Sequence, residues 1–148
     1  MRLEREIELE AAPEAVYDLL MDPSRLGDWV TIHRRLRVAS AAPLRAGSEM
    51  VQSLQLAGVP FDVHWTIATA RRPSGVVWEG RGPAHSHARI AFGLSATATG
   101  ATRFAYANDF ELPGGPLGRI ATAVIAGTHI PDREIDESLA RLRALLER

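Results

Sequence analysis

His129 and Tyr106 are the side chains best suited to handling a proton in this chain. A histidine titrates near neutrality and could take a proton from the carbon beside a carbonyl. A phenol could then donate to the developing enolate oxygen. Asp132 or Arg133 stands close enough in sequence to orient or charge the histidine. Gln52, Asn108 and Thr128 offer uncharged donors and acceptors for orienting a bound molecule. Around them, Trp29, Met50, Leu54, Trp65, Trp78, Phe92 and Ile125 would supply apolar walls. The competing interpretation is structural: each polar group satisfies neighbouring backbone or a buried water, and the tryptophans are core.

The elements that would position these residues are legible from periodicity. Residues 3–10 alternate Leu3, Ile7 and Leu9 against Glu4, Glu6, Glu8 and Glu10, as in a strand with one wet side. Pro13 suits the first turn of a helix, with Val16, Leu19 and Leu20 on one face. Asp22-Pro23 stops that helix and starts a second short one, with Asp22 as N-cap and Leu26, Trp29 and Val30 apolar. Arg34–Ala39 alternates next, setting Leu36 and Val38 against Arg35 and Arg37. Further runs put Met50, Leu54 and Leu56 on one face, then Phe61, Val63, Trp65 and Ile67. Val76–Glu79, a strand carrying Ile90, Phe92 and Leu94, and Arg103–Leu112 with Phe104, Tyr106 and Phe110 complete the series. After Pro113-Gly114-Gly115-Pro116 the period becomes helical, from Leu117 through Ile125 to Leu146. A straight helix of that span would be roughly 45 Å long. Pro131 predicts a kink or break near Gly127–Pro131.

Parity picks out the candidate site. Gln52 lies in phase with Met50 and Leu54, Asn108 with Tyr106 and Phe110, and Ser86 with Ile90 and Phe92. Burying such groups without partners costs about 1–3 kcal/mol each, so their inward phase is informative. Thr128 falls near the middle of the helical stripe and His129 towards its edge. His85-x-His87 invites a metal site completed by Glu79 or His64, but these histidines are out of phase with the buried positions and turn to solvent. No metal site is assigned. Arg34, Arg35 and Arg37 are explained by a solvated strand edge. Nucleophile elbow, phosphate loop and dinucleotide fingerprint are all missing, so no cofactor is expected.

The composition excludes several classes. With 148 residues, 46% hydrophobic and 24% charged, the chain suits one domain over 1–148. A net charge of -1 gives no electrostatic footprint for nucleic acid or anionic membrane. The lack of cysteine removes disulfides, thiolate metal sites and a thiol nucleophile. Met1–Glu6 has no signal-peptide apolar region, and no apolar run approaches bilayer length. A cytoplasmic protein without membrane insertion, monomeric or homodimeric, is expected.

Consecutive strands joined by short turns imply an antiparallel meander whose apolar face is covered by the carboxy-terminal helix. The segment Pro13-Glu14-Ala15-Val16-Tyr17 followed by Asp22-Pro23 and Trp29 resembles the opening of the START-like (SRPBCC) superfamily of polyketide cyclases, dehydrases and lipid-transport proteins. The resemblance extends to Gly114-Gly115-Pro116-Leu117-Gly118-Arg119 and Ser138-Leu139-Ala140-Arg141-Leu142, and is closest to the polyketide cyclase/dehydrase-like branch. It implies an α+β helix-grip fold: a curved seven-stranded antiparallel sheet around a long carboxy-terminal helix, with two short helices after the first strand. It also implies a cavity for a small hydrophobic, aromatic or polyketide-like molecule. As an aromatase/cyclase or dehydratase, such a chain would close and dehydrate a folded poly-β-ketone, with His129 shuttling the proton and Tyr106 or Asn108 holding the enolate oxygen. The alternatives are a non-catalytic lipid or metabolite carrier and a protein-interaction module of the same fold.

Overall fold

The computed structural model describes residues 1–111 and 127–147. Strand β1 (Arg2–Leu9) leads into helix α1 (Pro13–Leu20), a single 3-10 turn (Pro23–Arg25) and the short helix α2 (Leu26–Trp29). Six strands follow: β2 (His33–Ala39), β3 (Glu49–Leu56), β4 (Val59–Arg71), β5 (Gly75–Arg81), β6 (His87–Ala96) and β7 (Thr102–Glu111). Helix α3 (Ile130–Leu146) closes the chain. All pairings are antiparallel in one seven-stranded sheet of order β1-β7-β6-β5-β4-β3-β2, the meander that short connections dictate.

Local chemistry accounts for the amino-terminal helices. Pro13 opens α1, where a missing N–H costs nothing, and Val16, Tyr17 and Leu20 are buried. Asp22 caps the following turn, its carboxylate accepting from Ser24 N at 3.1 Å and from Ser24 Oγ at 2.6 Å. Arg72 reaches back from the β4–β5 turn and grips Asp18 of α1 through two hydrogen bonds of 2.8 and 2.9 Å. Thr102, fully buried, donates to the Ala11 carbonyl at 2.7 Å and locks the β1–α1 turn to β7.

Helix α3 lays Ile135, Ser138, Leu139 and Leu142 against the core. Burying a leucine as completely as Leu142 stabilises the fold by about 1.5–3 kcal/mol. Arg5 of β1 fixes the start of α3 by hydrogen bonds to Asp132 at 3.0 Å and Asp136 at 2.7 Å. The break expected near Pro131 falls at His129. Gly127 and Thr128 are helical, His129 turns into the left-handed region at φ 59°, and α3 restarts with Pro131 in its first turn. The earlier part of the expected helix, Leu117 to Ile125 included, lies outside the described residues.

Strand β2 departs from its expected pattern. Leu36 is half-buried as expected, but Val38 is 62% exposed. Register shifts between His33 and Arg35 and between Leu36 and Val38 turn the end of the strand over, as an extra residue in a ladder does.

Candidate functional site

The inward faces of β3 to β7 enclose, with α2 and α3, a cavity of about 190 Å³. Its walls hold Trp29, Met50, Leu54, Trp65, Trp78, Phe92 and Tyr106, with Gln52 and Asn108 among them. Period-two alternation is the cause: Met50, Gln52 and Leu54 point inward from β3, Val63 and Trp65 from β4, and Tyr106 and Asn108 from β7. Trp65 and Trp78 meet edge to face with ring centroids 6.5 Å apart. Phe92 packs between Phe104 and Tyr106 at 5.6 and 5.9 Å. Opposite Trp65 in the ladder stands Gly80, where a Cβ would come within 2.6 Å of the indole. The missing side chain makes room for the tryptophan ring.

The polar groups inside this wall fall into distinct sets. Trp65 Nε1 donates to Gln52 Oε1 at 2.9 Å, and the other end of the same amide meets His33 Nδ1 at 2.9 Å. An indole N–H can only donate, which fixes the amide so that Gln52 Nε2 donates to His33. His33 therefore presents a lone pair at Nδ1 and carries its proton on Nε2. Burial, reinforced by the neighbouring Arg34 charge, holds its pKa below the ordinary histidine value. A second set ties the α2–β2 junction to α3: Thr31 N donates to Ser138 Oγ at 3.0 Å, and the Thr31 hydroxyl bonds the Glu134 carboxylate. Thr31, Glu134 and Ser138 all border the cavity.

Tyr106 lies deep in the wall. Burial pushes its phenol up to about 12, and the Asn108 amide beside it pulls the other way. It stays protonated at any physiological pH and can donate a hydrogen bond. Two buried atoms of the wall have no hydrogen-bond partner among the described residues: Trp29 Nε1, a donor, and Asn108 Oδ1, an acceptor.

Three of the expected site residues stand apart from this group. Ile125 lies outside the described residues. Thr128 and His129 are exposed just before α3 and do not line the cavity. The His129 side chain is 78% exposed, with Nδ1 3.8 Å from Asp132 Oδ2, so its expected proton-shuttle position is corrected. The left-handed turn at His129 rotates the ring off the helical stripe on which it was counted. Ser86, inward as expected, is satisfied by backbone, donating to the Pro83 carbonyl at 2.8 Å. His85 and His64 face solvent, and His87 stands at the cavity edge with Nδ1 3.9 Å from Glu111 Oε2. Among the described residues no group of three or more metal-ligating side chains gathers.

Thr31, His33, Glu134 and Ser138 are site features that periodicity did not identify. Ser138 had a usable signal, a polar residue in phase with Ile135 and Leu142 on α3. Thr31 and His33 precede an irregular strand and have no phase to read.

Comparison with known proteins agrees with this architecture. A family model described as "Polyketide cyclase / dehydrase and lipid transport" matches residues 1–147. Among solved structures, the Zhui aromatase/cyclase from a Streptomyces species superposes with TM-score 0.75 at 15% identity, over 100% of this chain and 94% of that one. A Thermus thermophilus protein, TTHA0849, gives 0.76 at 15% identity over 97% and 95%. A START superfamily protein from Mycobacterium smegmatis gives 0.68 at 12% identity over 99% and 97%. These likenesses carry the fold alone. In sequence, the Mycobacterium tuberculosis protein named Toxin Rv0910 is 24% identical over 128 residues, spanning 84% of this chain and 87% of its own length. Since the family model covers nearly the whole sequence and the sheet grips its helix around an apolar cavity, the chain belongs to the polyketide cyclase/dehydrase and lipid transport family.

Proposed function

We infer that this protein binds a small hydrophobic molecule inside the cavity between its sheet and α3. One observation carries the reading: the wall is built chiefly from aromatic and aliphatic side chains, punctuated by a few polar groups at fixed positions, with Glu111 and Glu134 as its acidic members. That is the composition of a small-molecule site, in which apolar area supplies affinity and a few polar groups set orientation. Among the described residues no helix is long and apolar enough to cross a membrane. Native mass spectrometry and solvent extraction of purified protein test the reading, together with a thermal-shift screen of lipophilic compounds. Recovery of a ligand, or a shift with ring-containing compounds, supports it. No ligand and no shift across the screen defeats it.

A second reading, cyclisation or dehydration of a bound carbonyl compound, is favoured by the protonated Tyr106 phenol beside Asn108. In it Tyr106 donates to the carbonyl oxygen as negative charge develops there. Tyr106→Phe should then lower turnover of a model β-ketone while leaving its binding nearly intact. Unchanged turnover would remove Tyr106 from the chemistry.

A further inference from the structure

A histidine is wired into the cavity wall from behind. His33 Nδ1 accepts from Gln52 Nε2 at 2.9 Å, and Gln52 Oε1 accepts from Trp65 Nε1 at 2.9 Å. Gln52 and Trp65 line the cavity, whereas His33 does not. While the ring is neutral, every donor in this chain of three residues has its acceptor. The ring is half-buried, so a proton can still reach it from solvent.

A proton on Nδ1 breaks the arrangement at the wall. If the ring stays, the amide must turn its oxygen towards it and set its own N–H groups against Trp65 Nε1, another donor. If the ring swings away, Gln52 Nε2 is left buried without an acceptor. Either way the wall acquires an unpaired donor, which is a poor neighbour for an apolar molecule. The indole cannot back off to relieve the conflict. The Gly80 backbone stands behind its six-membered ring, where even a Cβ would come within 2.6 Å, and Trp78 abuts it edge to face. Its open side is the cavity.

The surroundings leave the imidazole as the group that titrates here. β3 presents Gln52 and Leu54 to His33, α2 presents Gly27, and the Val30 carbonyl accepts from its backbone N–H at 3.1 Å. Asp28 of α2 is paired with Arg25. Among the described residues Arg34 is the charged side chain whose field acts on the ring, and it opposes protonation.

We propose that His33 is a proton switch for the cavity: an apolar ligand is held while the ring is neutral and released when Nδ1 is protonated. This rests on the apolar-ligand reading and adds its regulation. By linkage the coupling acts in both directions, so an occupied cavity must make His33 harder to protonate.

Tetralin, a two-ring hydrocarbon with no titratable group, serves as the probe, since the cavity of about 190 Å³ exceeds the roughly 150 Å³ of engineered cavities that accept benzene. Calorimetry on the intact chain between about pH 7.5 and 4.5 reads its affinity, and imidazole NMR reads the His33 titration with and without tetralin. The Kd should hold steady down to about pH 6.5 and rise at least about threefold below it. Saturating tetralin should move the His33 midpoint down by about half a pH unit or more. His33→Asn keeps an acceptor opposite Gln52 Nε2 and takes up no proton in this range, so its Kd should vary by less than about twofold, with His87, Glu111 and Glu134 of the lining untouched. Gln52→Leu combined with Trp65→Phe keeps the imidazole but removes the relay, and its Kd should be equally flat. A flat Kd in wild type, or a His33 midpoint that tetralin does not move, overturns the switch while the apolar-ligand reading stands. A pH dependence that persists in His33→Asn belongs to another group, and one that persists in the double variant bypasses Gln52; either overturns the switch. No binding to wild type at any pH defeats both.

Discussion

Gln52 Nε2 donates to His33 Nδ1 across 2.9 Å, which joins a titratable ring behind the cavity to an amide in its wall. Protonating His33 at Nδ1 would face two donors against each other. Flipping the amide only moves the conflict to Trp65 Nε1, which also donates. The geometry and the lowered pKa thus agree on a neutral ring.

A pH dependence follows from that neutrality. Above the ordinary histidine value of 6.5, His33 is neutral both folded and unfolded and contributes no slope. As pH falls through 6.5 the unfolded chain takes up a proton that the folded chain refuses, so stability declines until the lowered native pKa is passed. Urea midpoints measured between about pH 5 and 8 should show this acid-side loss, and His33→Leu should flatten it. An unchanged slope in the variant would place the loss elsewhere.

Gln52→Leu should destabilise the fold by about 1–3 kcal/mol, because it strands the buried Trp65 N–H. Trp65→Phe strands the Gln52 oxygen instead. The double variant removes both partners and should cost less than the sum of the singles by about 1 kcal/mol. Chemical denaturation of the four proteins reads this coupling directly. Strict additivity would mean the bond contributes nothing.

This pair also marks how far the sequence could be read. Gln52 was legible because β3 alternates without interruption, so one polar residue between Met50 and Leu54 must face the core. Asn108 was legible for the same reason on β7. His33 was not, since the register of β2 shifts just after it and phase counting fails across a bulge. His129 was misplaced by the opposite error: the helical period was carried through a residue that leaves the helix. Periodicity locates side chains within an element, and the site includes residues at two junctions where it is undefined.

Gly80→Ala should disturb the cavity from outside its polar set. The new methyl would lie 2.6 Å from one Trp65 ring carbon and 2.8 Å from Val63 Cγ1, closer than such atoms approach. Trp65 is held by Gln52 and braced by Trp78, so it yields only towards the cavity. A stability loss of about 1–3 kcal/mol is expected, with weaker binding of tetralin. Retained binding with lost stability would show that the sheet backbone gives way and the indole does not.

His129→Ala should leave the affinity for any lipophilic compound found in the thermal-shift screen within about twofold of wild type. Its ring is 78% exposed and lies outside the cavity wall, so deletion removes no contact with a bound molecule. Any contact with Asp132 is also expendable, because Arg5 holds that carboxylate at 3.0 Å. A tenfold change in affinity would bring the histidine back into the site.

Tyr106 should control part of the alkaline limit of stability. Its phenol is raised from 10 to about 12 in the folded chain, chiefly by burial. Between those values the unfolded chain loses a proton that the folded chain keeps, so stability is fully present below pH 10 and falls as pH climbs towards 12. Tyr17 is raised by burial as well and contributes in the same direction. Tyr106→Phe should therefore reduce the alkaline slope without abolishing it, and Tyr17→Phe should remove part of what remains. Denaturation midpoints above pH 9 in the two variants would separate the contributions. Were Tyr106→Phe to keep the full wild-type slope, the phenol would have to ionise as readily folded as unfolded. It would then ionise near its ordinary value of 10, which would overturn the raised value while leaving the phenol protonated, and able to donate, at neutral pH.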